Sequence, residues 1–324
     1  TAYYATVDSR HFSTAFDVIA DIFLHPSVPN VELEKERGAV IEEINMYEDM
    51  PMQSVLIKAD ETLFGAAHPL GRPILGPKSN IQRFTRKEVL AYFNRNYVAS
   101  NSAVCIAGNF STTKALKNIR TAFKHMRVAS HPSCVAYTHA QMSPKVVLIN
   151  KKTDQSHFVI SVPSYPINDK REAVVEVLKS LLGGGMSSRL FSEIREKRGL
   201  AYYIKAQVET YADTGHFLIR AGVSNTQLTV AIKTVISELR KLTQHGVSSK
   251  ELKKAKEYTK GTLALSLEQN EARADYIGYE ALVRENLKGP DAFNRKVDKV
   301  TAGQVQKAAQ ELFCSEHLNL TVIG

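Results

Sequence analysis

An acidic stretch after Pro29 has the residue spacing with the clearest chemical meaning. It is predicted to be a helix that begins at Asn30 as an N-cap and ends before Pro51. Glu36 and Glu43 stand seven residues apart, and two helical turns span about 7.2 residues, so both carboxylates should point to nearly the same side. Two carboxylates on a partly apolar stripe favour a cationic partner, which a metal ion or an arginine would supply.

The same helix also allows a less specific interpretation. Most of its remaining acids are expected to face water, namely Glu32, Glu34, Glu42 and Glu48. Spacing alone therefore leaves two hypotheses open for Glu43: it is a metal ligand, or it is one more solvated acid.

The histidines and cysteines provide no complete metal site. None of the ten histidines has a second one four residues away with a glutamate between them, so the sequence has no His-x-x-Glu-His motif. We interpret His68, in a loop, and His157, in a strand, as structural or surface residues. Cys105, Cys134 and Cys314 are too widely spaced for a zinc knuckle, and their odd number argues against a disulfide framework. This usage favours a reducing compartment, with the cytoplasm expected and the periplasm or mitochondrial matrix left open.

Composition is that of an ordinary globular protein, with 324 residues, 44% of them hydrophobic and 23% charged. No apolar run approaches the ~18 residues that span a bilayer, so no membrane association is expected. The net charge of +9 leaves a basic nucleic-acid-binding module as a distant alternative. We expect no nucleic-acid partner, because the cations are scattered among carboxylates and no nucleic-acid motif is present. The basic stretch 250–260 is interpreted as the solvated face of a helix.

A diverged internal repeat relates the two halves of the chain. A shift of 216 residues lays 84–108 over 300–324 without a gap, and both copies begin with a capping box. The same shift matches an apolar helix face within 7–23 to one within 223–239. The second copy opens near Lys145, so the first copy is expected to open about seventy residues before Thr1.

Both halves are predicted to be α+β, as two homologous domains, each a largely antiparallel sheet with helices packed on one face. The linker 127–144 gives domain boundaries of 1–138 and 139–324. Periodicity predicts the following strands: 1–7, 103–108, 145–150, 157–162, 201–208 and 215–223. It also predicts helices over 170–182 and 188–197. The glycines 183–185 lack a following Gly-Lys-Ser/Thr, so we interpret them as a helix stop or flexible loop rather than a phosphate cradle.

Three motifs resemble those of the pitrilysin-like zinc metallopeptidases, the family that includes insulinase. ELEKERGAVIEEINMYEDMP resembles the family's third-ligand helix, and HPLGRPILG looks like the loop that follows it. SLLGGGMSSRLFSEIREKRGLAYYIKAQVETYADTGHF is similar to the long signature of its second domain. The resemblance covers essentially the whole chain, in order.

The resemblance implies a zinc endopeptidase. In this family a His-x-x-Glu-His motif supplies two zinc-binding histidines and the general base, and a distant glutamate completes the site. At the matching positions of this sequence, Glu43 is the implied zinc ligand and Glu36 its supporting acid. Arg195 and Tyr202 match the residues that reach the active site from the second domain and stabilise the substrate oxyanion. The motif would lie before Thr1, so these residues are not expected to hold catalytic zinc by themselves.

The resemblance also implies a mode of substrate binding. Family members bind an unfolded peptide as an added strand, inside a chamber closed by two two-domain units. We therefore expect a peptide substrate and either a homodimer or a paired family subunit. The alternative is a non-catalytic partner or scaffold subunit of the same family, although the presence of Glu36 and Glu43 favours the enzyme.

Overall fold

The computed structural model of the protein describes residues 1–130, 134–284, 287 and 289–324. Contacts divide the chain into two units, which are described separately. Unit 1 comprises Thr1–Ile41, Lys78–Cys134 and Ala264–Gly289. Unit 2 comprises Glu42–Pro77, Val135–Leu263 and Pro290–Gly324. Each unit draws segments from both sides of residue 138, so the boundary between 1–138 and 139–324 stays a prediction.

The described residues form many helices and one sheet. The α-helices are α1 (Phe12–Leu24), α2 (Asn30–Asp49), α3 (Pro51–Phe64), α4 (Lys78–Arg83), α5 (Arg86–Asn96), α6 (Thr112–Ala122), α7 (Glu172–Gly183), α8 (Leu228–His245), α9 (Ser249–Ser266), α10 (Asn270–Val283), α11 (Gly289–Asp298) and α12 (Ala302–Leu312). Within the described ranges, none of them is both long and apolar enough to cross a bilayer.

Unit 2 is built on a five-stranded sheet. Its strands are β1 (Lys145–Ile149), β2 (Gln155–Ser164), β3 (Ala201–Thr210), β4 (Gly215–Ser224) and β5 (Asn319–Ile323). They lie in the order β1-β5-β2-β4-β3. Only β1 and β5 pair in parallel; the other neighbours are antiparallel. The α+β class is confirmed, and the four strands predicted after residue 144 end within two residues of the observed bounds.

One face of this sheet is covered by α7, α8 and α12. Alternate residues of β4, including Phe217 and Ile219, turn toward these helices and are buried with Leu178 of α7. The Phe217 ring meets Phe313 edge-on, with centroids 5.3 Å apart. Each fully buried side chain of this size contributes roughly 1.5–3 kcal/mol, so this face holds the main core of the unit.

The opposite face of the sheet carries α3. Val55 and Ala59 of this helix are fully buried against Val159, Leu218 and Ile323. The prediction placed helices on one face of the sheet, and the structure adds this helix on the other. A sheet covered on both faces explains why β2 is buried at every position of 158–163 rather than at alternate ones.

Unit 1 packs mainly through aromatic side chains. The centroid of the Phe23 ring, on α1, lies 5.3 Å from that of Tyr97 and 6.0 Å from that of Phe123. Helix α5 begins with the predicted capping box, in which the Thr85 side chain accepts from the Glu88 backbone and the Glu88 side chain accepts from the Thr85 backbone.

The strands predicted at 1–7 and 103–108 do not form in the structure, and that prediction is wrong for residues 1–130, which contain no strand. A strand exists only when its backbone pairs with a neighbouring strand, whereas the alternation of apolar residues is a local property. No described segment pairs with either stretch.

The three glycines 183–185 end a helix as predicted, but by a different mechanism. Helix α7 ends at Gly183, and Gly184 keeps a right-handed conformation (φ −76°), so no left-handed cap stops the helix. Close packing requires these glycines instead. A Cβ at Gly183 would lie 2.4 Å from the backbone nitrogen of Ala206, and one at Gly185 would lie 2.8 Å from the Tyr258 ring.

This packing predicts opposite effects for two helical glycine-to-alanine substitutions. Gly183→Ala should destabilise unit 2 by about 1–3 kcal/mol, because the new methyl group must displace the β3 backbone. Gly261→Ala in α9 is the matched control: nothing lies within 4 Å of its Cβ position, so alanine should be neutral or stabilise by up to ~1 kcal/mol. Urea unfolding measures both, and equal stability of the two variants would contradict the close approach.

Candidate functional site

Helix α2 carries the two carboxylates that the sequence singles out, and the predicted helix is confirmed. Glu36 and Glu43 are both exposed. Within the described parts of the chain, neither forms an ion pair or a hydrogen bond. Glu43 belongs to unit 2, as do Arg195 and Tyr202, whereas Glu36 belongs to unit 1. Glu43 therefore offers a carboxylate without a cationic partner, and its role as a ligand stays a prediction.

Helix α2 is held in place by hydrogen bonds from two cations, Arg37 on the helix itself and Lys151 at its end. Arg37 donates from Nη2 to the Phe84 carbonyl oxygen at 2.9 Å and from Nε to the Glu34 carboxylate at 3.0 Å. This bond from Arg37 lowers the pKa of Glu34. At the end of the helix, Lys151 Nζ donates to the Glu48 carbonyl oxygen at 2.7 Å, where a cation also complements the helix dipole. The helix is thus fixed without engaging the two candidate carboxylates.

Arg195 lies on a π-helix, Phe191–Glu196, where the sequence predicted an ordinary helix. The wider turn shows in its hydrogen bonds: the Lys197 N–H donates to the Ser192 carbonyl oxygen, five residues earlier, at 3.0 Å. The Arg195 side chain is exposed, and its guanidinium carbon lies 5.0 Å from the centroid of the Phe191 ring. Single π-helical turns are often found at functional sites.

Tyr202 lies in a β-bulge at the start of β3. Ala201 pairs with Val223 and Tyr203 pairs with Gly222, so Tyr202 is an extra residue in the ladder. The Tyr202 side chain is 62% exposed. Bulges are common beside active sites, where the extra residue redirects a side chain.

The π-helix and the bulge are joined directly. The Leu200 N–H donates to the Ile194 carbonyl oxygen at 2.8 Å, and the Gly199 N–H donates to the Arg195 carbonyl oxygen at 3.1 Å. Gly199 has a φ of +59°, which suits the left-handed turn between the two elements. Arg195 and Tyr202 are therefore presented by two irregular elements that share one tight connection.

Helix α9 anchors the segment that leads into the π-helix. Arg189 binds the Glu251 carboxylate through two nitrogens, at 2.8 and 3.1 Å. Lys254 donates to the Ser187 carbonyl oxygen at 2.8 Å, and the Tyr258 hydroxyl donates to the Gly184 carbonyl oxygen. Sequence reasoning missed these contacts, although Ser248 and Glu251 form a capping box that marks the start of α9.

The basic stretch 250–260 lies in α9 and is less solvated than predicted. Besides Lys254, Lys256 donates to the Asp298 carbonyl oxygen at 2.9 Å and Lys260 to the Asp298 carboxylate at 2.8 Å. These lysines therefore serve contacts within the fold.

The described residues contain no group of three or more histidine, cysteine or acidic side chains that could hold a metal ion. Each cysteine is free. His68 accepts from the Leu70 N–H at 3.2 Å, and His157 lies 3.1 Å from the Tyr203 hydroxyl. Neither histidine belongs to a ligand cluster, so Glu43 would need ligands from beyond the described residues.

Comparison with known proteins identifies the family. The model described as "Insulinase (Peptidase family M16)" matches residues 1–78, and "Peptidase M16 inactive domain" matches residues 83–258. An uncharacterized zinc protease of Streptomyces coelicolor is 31% identical over the whole chain, which covers 72% of that relative. One of Bacillus subtilis is 31% identical over 98% of the chain and 76% of the relative.

Solved structures share the fold at lower identity. A protease from Helicobacter pylori superposes with a TM-score of 0.88 at 20% identity, over 98% of this chain and 77% of its own. A peptidase M16 inactive domain from Pseudomonas fluorescens superposes with a TM-score of 0.85 at 19% identity, over 97% of this chain and 74% of its own. The chain belongs to the M16 family of peptidases, the insulinase family, and the resemblance in its motifs is confirmed.

The Arg189–Glu251 pair predicts a pH-dependent contribution to stability. Chiefly through its bond from Arg189, the pKa of Glu251 falls from 4.5 to about 2. A depressed pKa in the folded state stabilises the fold above pH ~4.5 and loses that contribution as the pH falls toward ~2. Glu251→Gln should therefore cost about 1 kcal/mol at pH 7, a value reduced for solvent screening of a partly exposed pair.

Urea unfolding of Glu251→Gln and the unchanged protein between pH 7 and pH 3 measures this contribution. Glu257→Gln on the same helix is the control, because the exposed Glu257 carboxylate pairs with Lys260 and its replacement should change stability by less than about 0.5 kcal/mol. A deficit of Glu251→Gln that stays constant down to pH 3 would show that the pair does not titrate as described.

Proposed function

We propose that the protein to which these residues belong is a zinc-dependent endopeptidase that cleaves unfolded peptides. In this proposal a His-x-x-Glu-His segment outside the described residues supplies the zinc-binding histidines and the general base. The observation that carries the proposal is the exposed placement of Arg195 and Tyr202 on a joined π-helix and β-bulge. The zinc proteases of Streptomyces coelicolor and Bacillus subtilis, similar along the whole chain, support it.

The chemistry of Glu43 suits the role of a metal ligand. Its carboxylate is exposed on a fixed helix and has no competing cation among the described residues. Bound zinc would act as a Lewis acid and lower the pKa of a water molecule toward ~7. Glu36, two turns earlier, would orient the ligand set through hydrogen bonds.

Arg195 and Tyr202 would act on the substrate. The Arg195 guanidinium has several N–H donors and would bind peptide carbonyl oxygens of the extended substrate. The Tyr202 hydroxyl would donate a hydrogen bond to the carbonyl oxygen as it gains negative charge, which stabilises the transition state more than the bound peptide.

The proposal includes a paired subunit and a reducing compartment. A chamber closed by a second copy or a related subunit would admit unfolded chains and exclude folded proteins. We place the protein in a reducing compartment such as the cytoplasm, because Cys105, Cys134 and Cys314 are free thiols.

A second candidate is a non-catalytic partner subunit of the same family. One observation favours it: the longer family match is to a domain described as inactive. The two candidates differ in whether the complete protein binds zinc.

Replacement of Glu43 tests the catalytic proposal in the protein expressed from its full reading frame. That protein should bind one zinc ion per chain and cleave a fluorogenic unstructured peptide. Glu43→Gln should lower zinc affinity by at least about 10–100-fold, since loss of a ligand should cost no less than loss of an outer-shell partner. Peptidase activity should fall with the bound zinc.

Glu42→Gln is the matched control, because Glu42 is an exposed acid adjacent to Glu43 on the same helix. It should retain both zinc and activity. Equal zinc content in the two variants would remove Glu43 from the ligand set. Absence of zinc from the unchanged protein would instead favour the non-catalytic subunit.

A further inference from the structure

A histidine and a tyrosine meet across one strand of the sheet, next to the β3 bulge. His157 on β2 and Tyr203 on β3 both pair with Gly222 of β4, which runs between them. The His157 Nδ1 lies 3.1 Å from the Tyr203 hydroxyl, and the two rings are stacked with centroids 6.0 Å apart. These side chains thus bridge three strands at a single register position.

Gly222 is what allows the two rings to meet. A Cβ at this position would lie 2.6 Å from Tyr203 Cε1 and 3.2 Å from His157 Nδ1. Any larger residue would separate the rings, so the strand between them needs a residue without a side chain.

Burial keeps both members of the pair uncharged. Burial lowers the pKa of His157, which favours the neutral imidazole. Burial also raises the pKa of Tyr203 to about 12, which keeps its hydroxyl protonated. The Tyr203 hydroxyl and the Nδ1 atom of neutral His157 therefore share one hydrogen bond, whose donor depends on the imidazole tautomer.

The His157–Tyr203 pair lies next to the bulge at which the alternation of side chains along β3 shifts by one residue. Ala201 and Ile204 are three residues apart, and both are buried in the core under α7, α8 and α12. In a regular strand, residues three apart point to opposite faces of the sheet, so one of the two would leave the core. The bulge lets both stay in the core and places the Tyr202 and Tyr203 side chains outside it. Fixing Tyr203 to His157 fixes which residue pairs with Gly222, and this determines that Tyr202 is the extra residue.

We propose that His157 is a positioning residue, which holds Tyr203 across Gly222 so that the bulge presents Tyr202 to the substrate. This proposal rests on the proposed function, because it assigns His157 to the reaction through Tyr202. Its structural part, that the pair sets the position of residue 202, can be measured without peptidase activity.

The first measurement uses fluorescence, since the chain has no tryptophan. In the full-length protein, with any tryptophan outside these 324 residues replaced by phenylalanine, Tyr202→Trp introduces a single reporter at the bulge. Adding Tyr203→Phe or His157→Phe should shift its emission maximum and change its quenching by acrylamide. Adding His157→Asn, which keeps a hydrogen-bonding atom near the Nδ1 position, should leave both close to those of Tyr202→Trp alone. Tyr92→Phe, at an exposed tyrosine of α5, is the control and should change neither.

The second measurement uses kinetics of the chain with Tyr202 intact. Tyr203→Phe and His157→Phe should lower kcat by about 10–100-fold, as expected for a misplaced catalytic group, with KM and zinc content nearly unchanged. His157→Asn should recover most of kcat, and Tyr92→Phe should retain it.

The outcomes separate the two levels of the proposal. A reporter that does not respond to Tyr203→Phe or His157→Phe overturns the positioning role, as does a kcat that stays unchanged while only stability falls. If the unchanged protein cleaves no peptide, the proposed function fails and His157 loses its catalytic role, while the reporter still decides whether the pair sets the bulge.

Discussion

In strand β3, side chains alternate between the two faces of the sheet, and this alternation must shift by one residue at Tyr202. The candidate site depends on this constraint. Ala201 and Ile204 both belong in the helix-covered core, and an unbroken strand cannot bury two residues that are three apart on the same face. The extra residue that resolves the conflict is the tyrosine that the family motif singles out. A requirement of core packing thereby exposes a hydroxyl group at a defined place on the sheet edge.

The irregular elements around this tyrosine are held by regular ones. Helix α9 fixes the segment before the π-helix through the Arg189–Glu251 pair and through Tyr258 on the glycines. The glycines in turn let α7 approach the middle of β3, where Gly183 meets the Ala206 backbone. The π-helix and the bulge are energetically unfavourable in isolation, so they persist because the neighbouring helix and strands determine their geometry.

Local patterns predicted the regular elements, and non-local packing accounts for what they missed. The capping box at Thr85, the apolar stripe of α7 and the strands of unit 2 follow from neighbouring residues, and the structure confirms them. The π-helix, the bulge and the His157–Tyr203 bond depend on partners far away in sequence, which no periodicity records. The strand at 103–108 shows the converse error, because its pattern of apolar residues is present while no described segment pairs with it. The motif alone indicated Arg195 and Tyr202, helix spacing and the motif together indicated Glu43, and the roles of all three stay predictions.

The most direct test of Glu43 as a zinc ligand is a crystal structure of the protein expressed from its full reading frame, with diffraction recorded at the zinc absorption edge. We expect one anomalous peak per chain, from a zinc ion about 2.0–2.2 Å from a Glu43 carboxylate oxygen and bound also by two histidines. Arg195 and Tyr202 should face the same cleft. No peak, or a zinc ion whose ligands do not include Glu43, would contradict the central claim.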